Sequence, residues 1–201
     1  MSEPEPTGDE TLLRAFPSEV RAVAEQVIAG LPAADYPPVG DVSHSNHKKW
    51  DAITVHGEAV AIPSRIYNPT TDGMRGTADA ETVRACLYSR HHDGHVRQAA
   101  LPTLLRSETW WAIPFVVQLL GEYVIEICDD IAAYASDELP RHPAFEAEFQ
   151  SFCADNPSFI ALTEARARSY WAEYYRREHL WPDTYPALVA LTRLTTPRRE
   201  R

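Results

Sequence analysis

Glycine, cysteine and long apolar runs are all scarce in this chain. None of the eight glycines lies beyond Gly121, which leaves proline as the main punctuation of the C-terminal part and favours helices over strands there. The three cysteines, Cys86, Cys128 and Cys153, are odd in number and far apart. That argues against a disulfide frame or a Cys-x-x-Cys zinc site and marks them as reduced core residues. The longest uncharged apolar stretch, Trp110 to Leu120, falls well short of the ~20 residues that cross a bilayer. With an acidic, proline-containing start in place of a signal peptide, a soluble cytoplasmic protein without membrane contact is expected. Also missing are a Gly-x-Ser-x-Gly elbow, a glycine-rich phosphate loop, a dinucleotide fingerprint and a cysteine in a polar setting. Their absence excludes the common nucleophilic and nucleotide-binding families.

Basic residues are the minority, 19 Lys and Arg against 29 Asp and Glu, for a net charge of −10. Phosphate contacts need a positive face, so direct nucleic-acid binding is not expected, whereas a basic protein partner would be steered in. The charge is uneven. Glu3, Glu5, Asp9 and Glu10 make an acidic start and Arg193, Arg198, Arg199 and Arg201 a basic end. At 201 residues with 44% hydrophobic and 24% charged, the chain suits one globular domain with a sizeable core. We read residues 1–10 as a disordered acidic tail, 11–194 as a single mostly helical domain and 195–201 as a basic tail.

A helix is predicted from about Pro17 to Ala29, with Val20, Val23, Val27 and Leu31 on its apolar side and Gly30 as its stop. Between Pro32 and Ala78 repeated Pro and Gly break any helical period. Within this stretch AITVHGEAVAI reads as a hairpin at about 51–63, and a two-residue His56-Gly57 turn would set Ile53 opposite Val60. Such a hairpin is marginal alone and must lie on the helices or be completed by a second chain. Residues 68–78, including NPTTDGMRGT, read as a flexible connector. Asp79 is the predicted N-cap of the next helix, whose buried side holds Val83, Cys86 and Leu87. After a turn ending at Gly94 another helix carries Val96, Ala99, Ala100 and Leu104, with a kink expected at Pro102. A single central helix is predicted over about Thr109 to Ala135, its apolar face running through Ile113, Val116, Leu120, Val124, Ile127, Ile131 and Tyr134. Phe145, Phe149 and Phe152 mark one later helix. Asn156-Pro157 caps and starts another, with Phe159, Ile160, Tyr170, Trp171 and Tyr174 apolar, and a short helix follows near Pro186 to Leu194.

The string DGHVRQAALPTLL, from Asp93 to Leu105, resembles the second-helix signature of HEAT-like helical repeats over roughly one repeat. The resemblance implies a capping role for Asp93, a core position for Val96, a place on the ladder between neighbouring repeats for Arg97, and close helix approach at Ala99 and Ala100. Ile113-Pro114-Phe115 is similar to the proline-bent opening of a following repeat. The fold class this implies is mainly α, a compact right-handed HEAT-like bundle with one small β-hairpin in the N-terminal half.

Two polar groups carry the candidate chemistry. His91, His92, Asp93 and His95 crowd one turn, and imidazoles with a carboxylate are what a divalent metal site requires. Consecutive helical residues point ~100° apart, so a capping Asp among polar turn residues accounts for the string more simply. The central helix carries Gln118, Glu122, Glu126, Asp129 and Asp130 on the face opposite its apolar side, as an acidic stripe that could meet Arg97 or His95. Asp129-Asp130 resembles the aspartate doublet of prenyl-diphosphate enzymes, without a second metal motif. His92-Asp93 resembles that of helical HD-type phosphohydrolases, with His56 and Asp129 as the further ligands by chain order. Trp110 and Trp111 are adjacent and cannot both face one interior, so one of them, taken as Trp111, is expected at a contact surface.

The favoured reading is a non-enzymatic protein–protein interaction module, an adaptor or an immunity- or antitoxin-like protein, needing no cofactor. Its binding groove would comprise His91, His92, Asp93, His95, Arg97, Trp111, Gln118, Glu122, Glu126, Asp129 and Asp130. The alternative is an all-α hydrolase holding a divalent metal on His92, His95, Glu122 and Glu126.

Overall fold

A computed structural model describes residues 8–38, 53–70 and 76–196, and the statements below concern those residues. The acidic start before Gly8, positions 51 and 52 of the predicted hairpin range, the middle of the connector at 71–75 and the basic tail beyond Thr196 lie outside them. The protein is mainly helical with one antiparallel hairpin in its N-terminal half, as the patterning indicates. Among the described residues no helix is long and apolar enough to cross a membrane. The chain divides into two compact units, Met1–Ser107 and Glu108–Arg201.

The first unit contains α1 (Gly8–Leu13), α2 (Arg21–Ala29), strands β1 (Ile53–Val55) and β2 (Glu58–Val60), α3 (Ala78–Tyr88) and α4 (Gly94–Arg106). α1 already begins inside the segment assigned to the acidic tail. α2 starts later than predicted, because Ser18–Val20 form a separate 3-10 turn. Its core side is Val20, Ala24, Val27 and Ile28, with Val23 and Leu31 only half-buried. In the hairpin Ile53 pairs with Val60 as the pattern requires. His56 at φ 47° and Gly57 at φ 82° are both left-handed, the signature of the turn whose twist matches two strands. Ile53, Val55 and Val60 are buried. The Glu58 carboxylate accepts from both the amide and the hydroxyl of Ser18, at 2.8 and 2.7 Å, and the Ala61 amide donates to the Arg14 carbonyl at 2.9 Å. The hairpin is therefore seated on the helices of its own unit. Thr77, not Asp79, caps α3, its hydroxyl accepting from the Ala80 amide at 3.2 Å. α4 continues through Pro102 to Arg106.

The second unit contains α5 (Ile113–Leu119), α6 (Ile125–Ala133), α7 (Pro143–Asp155), α8 (Pro157–Tyr170) and α9 (Pro186–Thr195). α6 packs on α9, which also meets α7 and α8. Phe115, Phe149, Ile127, Ile131, Leu191 and Leu194 fill the core. The single central helix predicted over Thr109 to Ala135 is not formed. A 3-10 turn at Trp110–Ala112 leads into α5, and the chain leaves helical geometry between Leu120 and Val124 before α6 begins. Gly121 lowers the cost of the break. Its carbonyl, which a continuous helix would give to Ile125, accepts instead from Arg166 Nε at 3.1 Å, and the Tyr123 carbonyl accepts from the Tyr175 hydroxyl at 2.6 Å. Asn156 likewise does not cap α8. Its amide donates back to the Phe152 carbonyl at 2.8 Å and closes the end of α7.

Candidate functional site

The His91–Arg97 turn belongs to the first unit, and the chain folds there around a short extended segment. The Ile66 amide donates to the Arg90 carbonyl at 3.0 Å and the His92 amide to the Ile66 carbonyl at 3.1 Å, an isolated parallel bridge. Buried Arg90 adds Nε and Nη2 bonds to the carbonyls of Pro63 and Ser64 at 3.2 and 3.0 Å. His91 is buried, and its Nδ1 accepts from the Asp93 amide at 3.1 Å, which places the proton of a neutral ring on Nε2. Burial, and then His92, push its pKa below the ordinary imidazole value and favour that neutral form. Asp93 has extended backbone and accepts from the His95 amide at 2.8 Å, which makes it the N-cap of α4. That hydrogen bond holds its carboxyl below the usual range.

Arg97 is fully buried, and its Nη1 reaches back to the carbonyls of His91 and His92 at 2.8 and 3.0 Å. His92 is exposed and lies flat on Tyr67, ring centres 5.1 Å apart. The turn is thus closed by its own members: His91 on the Asp93 amide, Asp93 on the His95 amide, and Arg97 beneath both carbonyls. Among the described residues no group of three or more His, Cys, Asp or Glu is placed to hold a metal ion. His56, the further ligand of the phosphohydrolase resemblance, sits at the exposed tip of the hairpin.

In the second unit the expected acidic stripe is split in two. α5 is buried along its whole length, Gln118 included, and Glu122 lies in the break that follows, so both residues predicted to face outward are at 0% exposure, while Glu126, Asp129 and Asp130 remain exposed on α6. Among the described residues neither amide atom of Gln118 has a hydrogen-bond partner. Trp111 is at 4% exposure and belongs to the core, and its neighbour Trp110 is the half-exposed member of the pair. Burial raises the Asp129 carboxyl, against the pull of nearby His179. The three cysteines are free and buried. Burial pushes the thiols of Cys128 and Cys153 up to about 12 and that of Cys86 well above its ordinary value, so none supplies a thiolate near neutral pH.

Two features of this unit escape the sequence reading. Tyr174 and Trp181 stand 62% and 69% exposed, and Tyr123 is also exposed, although Tyr174 was assigned to the apolar face of α8. The cause is a π-turn at Trp171–Tyr175, whose wider winding shifts the phase set by Phe159, Thr163 and Ala167. Adjacency offers a signal, since Tyr174 and Tyr175, like the tryptophan pair, cannot both face one interior. The other feature is Glu108, held in the left-handed region at φ 46° with its Oε1 2.9 Å from His142 Nδ1. Burial, then Glu108 and Glu138, push the nearby Tyr134 hydroxyl up to about 12.

Comparison of the chain with protein-family models, with curated proteins and with solved structures found no match.

Proposed function

We propose that this protein is a non-enzymatic protein-binding module whose docking face lies on the second unit and takes a basic partner. The observation that carries the reading is the division of labour on α6: Ile127, Cys128 and Ile131 are buried while Glu126, Asp129 and Asp130 are exposed within little more than one turn. Like charges four apart on a helix cost a few tenths of a kcal/mol, so folding alone does not favour this arrangement. A net charge of −10 favours association with a cationic surface. The likeness of 93–105 to a HEAT-type repeat points the same way, such helical arrays being binding scaffolds. An adaptor and an immunity- or antitoxin-like inhibitor both fit. The His91–Arg97 turn is not needed as a contact surface, because its polar groups are engaged in holding the turn.

The test compares wild type with Glu126→Lys and Asp130→Lys, both exposed and so expected to leave the thermal transition in place. Capture of a basic partner from lysate should weaken in each variant and fall steeply with salt. The association rate should change most, since exposed charges act through steering. Recovery of the same proteins by all three forms at low salt would refute the acidic docking face.

A further inference from the structure

Tyr123 and Tyr174 of the second unit stand in solvent, where a helix serving only to pack would bury them, and half-buried Tyr170 lies between them. Tyr123, Tyr170 and Tyr174 follow one another with ring centres 6.1 and 6.2 Å apart, and Tyr175 continues the row at 6.4 Å from Tyr174. The Tyr175 end is fastened. Tyr175 stacks at 5.5 Å on Tyr185, which is wholly buried, and its hydroxyl donates to the Tyr123 carbonyl at 2.6 Å. A row anchored in the core through Tyr175 loses less side-chain entropy on binding than separate surface residues would. Carboxylates adjoin it. α6 starts just after Tyr123, with Glu126 in its first turn and Asp129 one turn on. Elsewhere on the second unit a guanidinium already lies on an aromatic ring, Arg176 Cζ being 5.9 Å from the centre of Trp171.

We propose that the row Tyr123–Tyr170–Tyr174, with Glu126 beside it, is the seat for arginine side chains of a basic protein segment. The proposal rests on the reading of α6 as a docking face and adds the residue type recognised there. Charge complementarity selects the occupant, since the chain carries −10. The rings select arginine over lysine, because a planar, weakly hydrated guanidinium stacks on an aromatic face while offering its fork of N–H donors to a carboxylate. An ammonium can pair with Glu126 but gains less from the tyrosines.

The experiment uses the full chain and two fluorescent peptides of equal length and charge, one with only arginine cations and one with only lysine, followed by anisotropy. The arginine peptide should bind ~3- to 5-fold more tightly. That preference should disappear in Tyr174→Ala, while Glu126→Gln should weaken both peptides alike. Equal affinity for the two peptides, or a preference that Tyr174→Ala leaves intact, overturns the tyrosine seat. If Glu126→Gln still weakens binding in that case, the acidic docking face stands without it. No saturable binding of either peptide also overturns the seat, and the lysate capture then judges the docking face separately. A gain in peptide affinity on deleting 197–201 would assign the row to the chain's own arginines. A dimer in sedimentation that Tyr174→Ala dissolves would assign it to a second copy, and either result overturns the proposal.

Discussion

Arg97 Nη1 reaches back six residues to the carbonyl of His91 at 2.8 Å, with the whole side chain buried. The residue that looks from the sequence like part of a charged surface is a brace beneath the turn. Arg97→Met, which keeps the stem and removes the donors, should cost about 2–3 kcal/mol, because hydrogen bonds to a charged donor carry roughly 1.5–3 kcal/mol and the His91 and His92 carbonyls lose their partner. Urea unfolding checks it, and a midpoint within error of wild type would show that the brace carries no weight.

The turn should also respond to acid in two separable steps. The folded His91 pKa lies below its ordinary value of about 6.5, so the unfolded chain binds the extra proton. Its contribution is complete above that value and is lost as pH falls through the lower folded one. Asp93 follows the same sign further down: its stabilisation is present above about 3.9 and disappears as pH falls through its depressed folded value. His91→Gln should remove only the first step. Asp93→Asn retains an acceptor for the His95 amide and should flatten only the second, and Asp93→Ala should lower the melting midpoint at neutral pH by about 2–4 °C. Melting curves between pH 3 and 8 would decide, and a wild-type profile without these steps counts against both assignments.

Glu108 combines an unfavourable backbone with a partner. A non-glycine residue in the left-handed region costs about 1–2 kcal/mol, and an exposed side-chain contact such as that with His142 returns only about 0.2–1 kcal/mol. Glu108→Gly removes the strain, loses the pair and adds unfolded-state entropy of about 0.4–1 kcal/mol, so its stability should stay within about 0.5 kcal/mol of wild type. Glu108→Val keeps the strain, adds β-branching and should lose more than about 1 kcal/mol. A glycine variant as damaged as the valine one would show that the pair, not the backbone, matters there.

Gln118 is buried with its amide unpaired. An unsatisfied buried polar group costs about 1–3 kcal/mol, so Gln118→Met, similar in volume and apolar, should raise stability by about 1 kcal/mol with an unchanged denaturant slope. A loss of stability would mean that the amide is engaged in the folded protein.

What could be read from the residues depended on how far away the determinants lay. His56-Gly57 between β-rich runs specifies the hairpin register, and Asp93 before Gly94 specifies a cap, because two or four neighbouring residues settle each. The end of α5 was not legible. Gly121 inside an apolar period is tolerated in many helices, and the groups that satisfy the broken backbone, Arg166 and Tyr175, stand 45 and 52 residues further on. The misplacement of Glu122 follows from that break and that of Tyr174 from the π-turn, whereas Gln118 is misplaced because α5 is buried along its whole length. Thr77 and Asp79 compete within one turn, where both are good caps, and local propensity does not separate them.

The break between Leu120 and Val124 also bears on the order in which the protein matures. Its carbonyl partners come from residues synthesised much later, so a nascent chain that has emerged only as far as α7 has no reason to interrupt the helix there. Such an intermediate would favour one continuous helix, with Glu122 on the same outer side as Glu126 and apolar residues beside it uncovered. Closing contacts of this sequence separation is slow, and exposed apolar surface invites association in the interval. The native acidic face of α6 is thus set late, when Arg166 and Tyr175 arrive to take the two carbonyls.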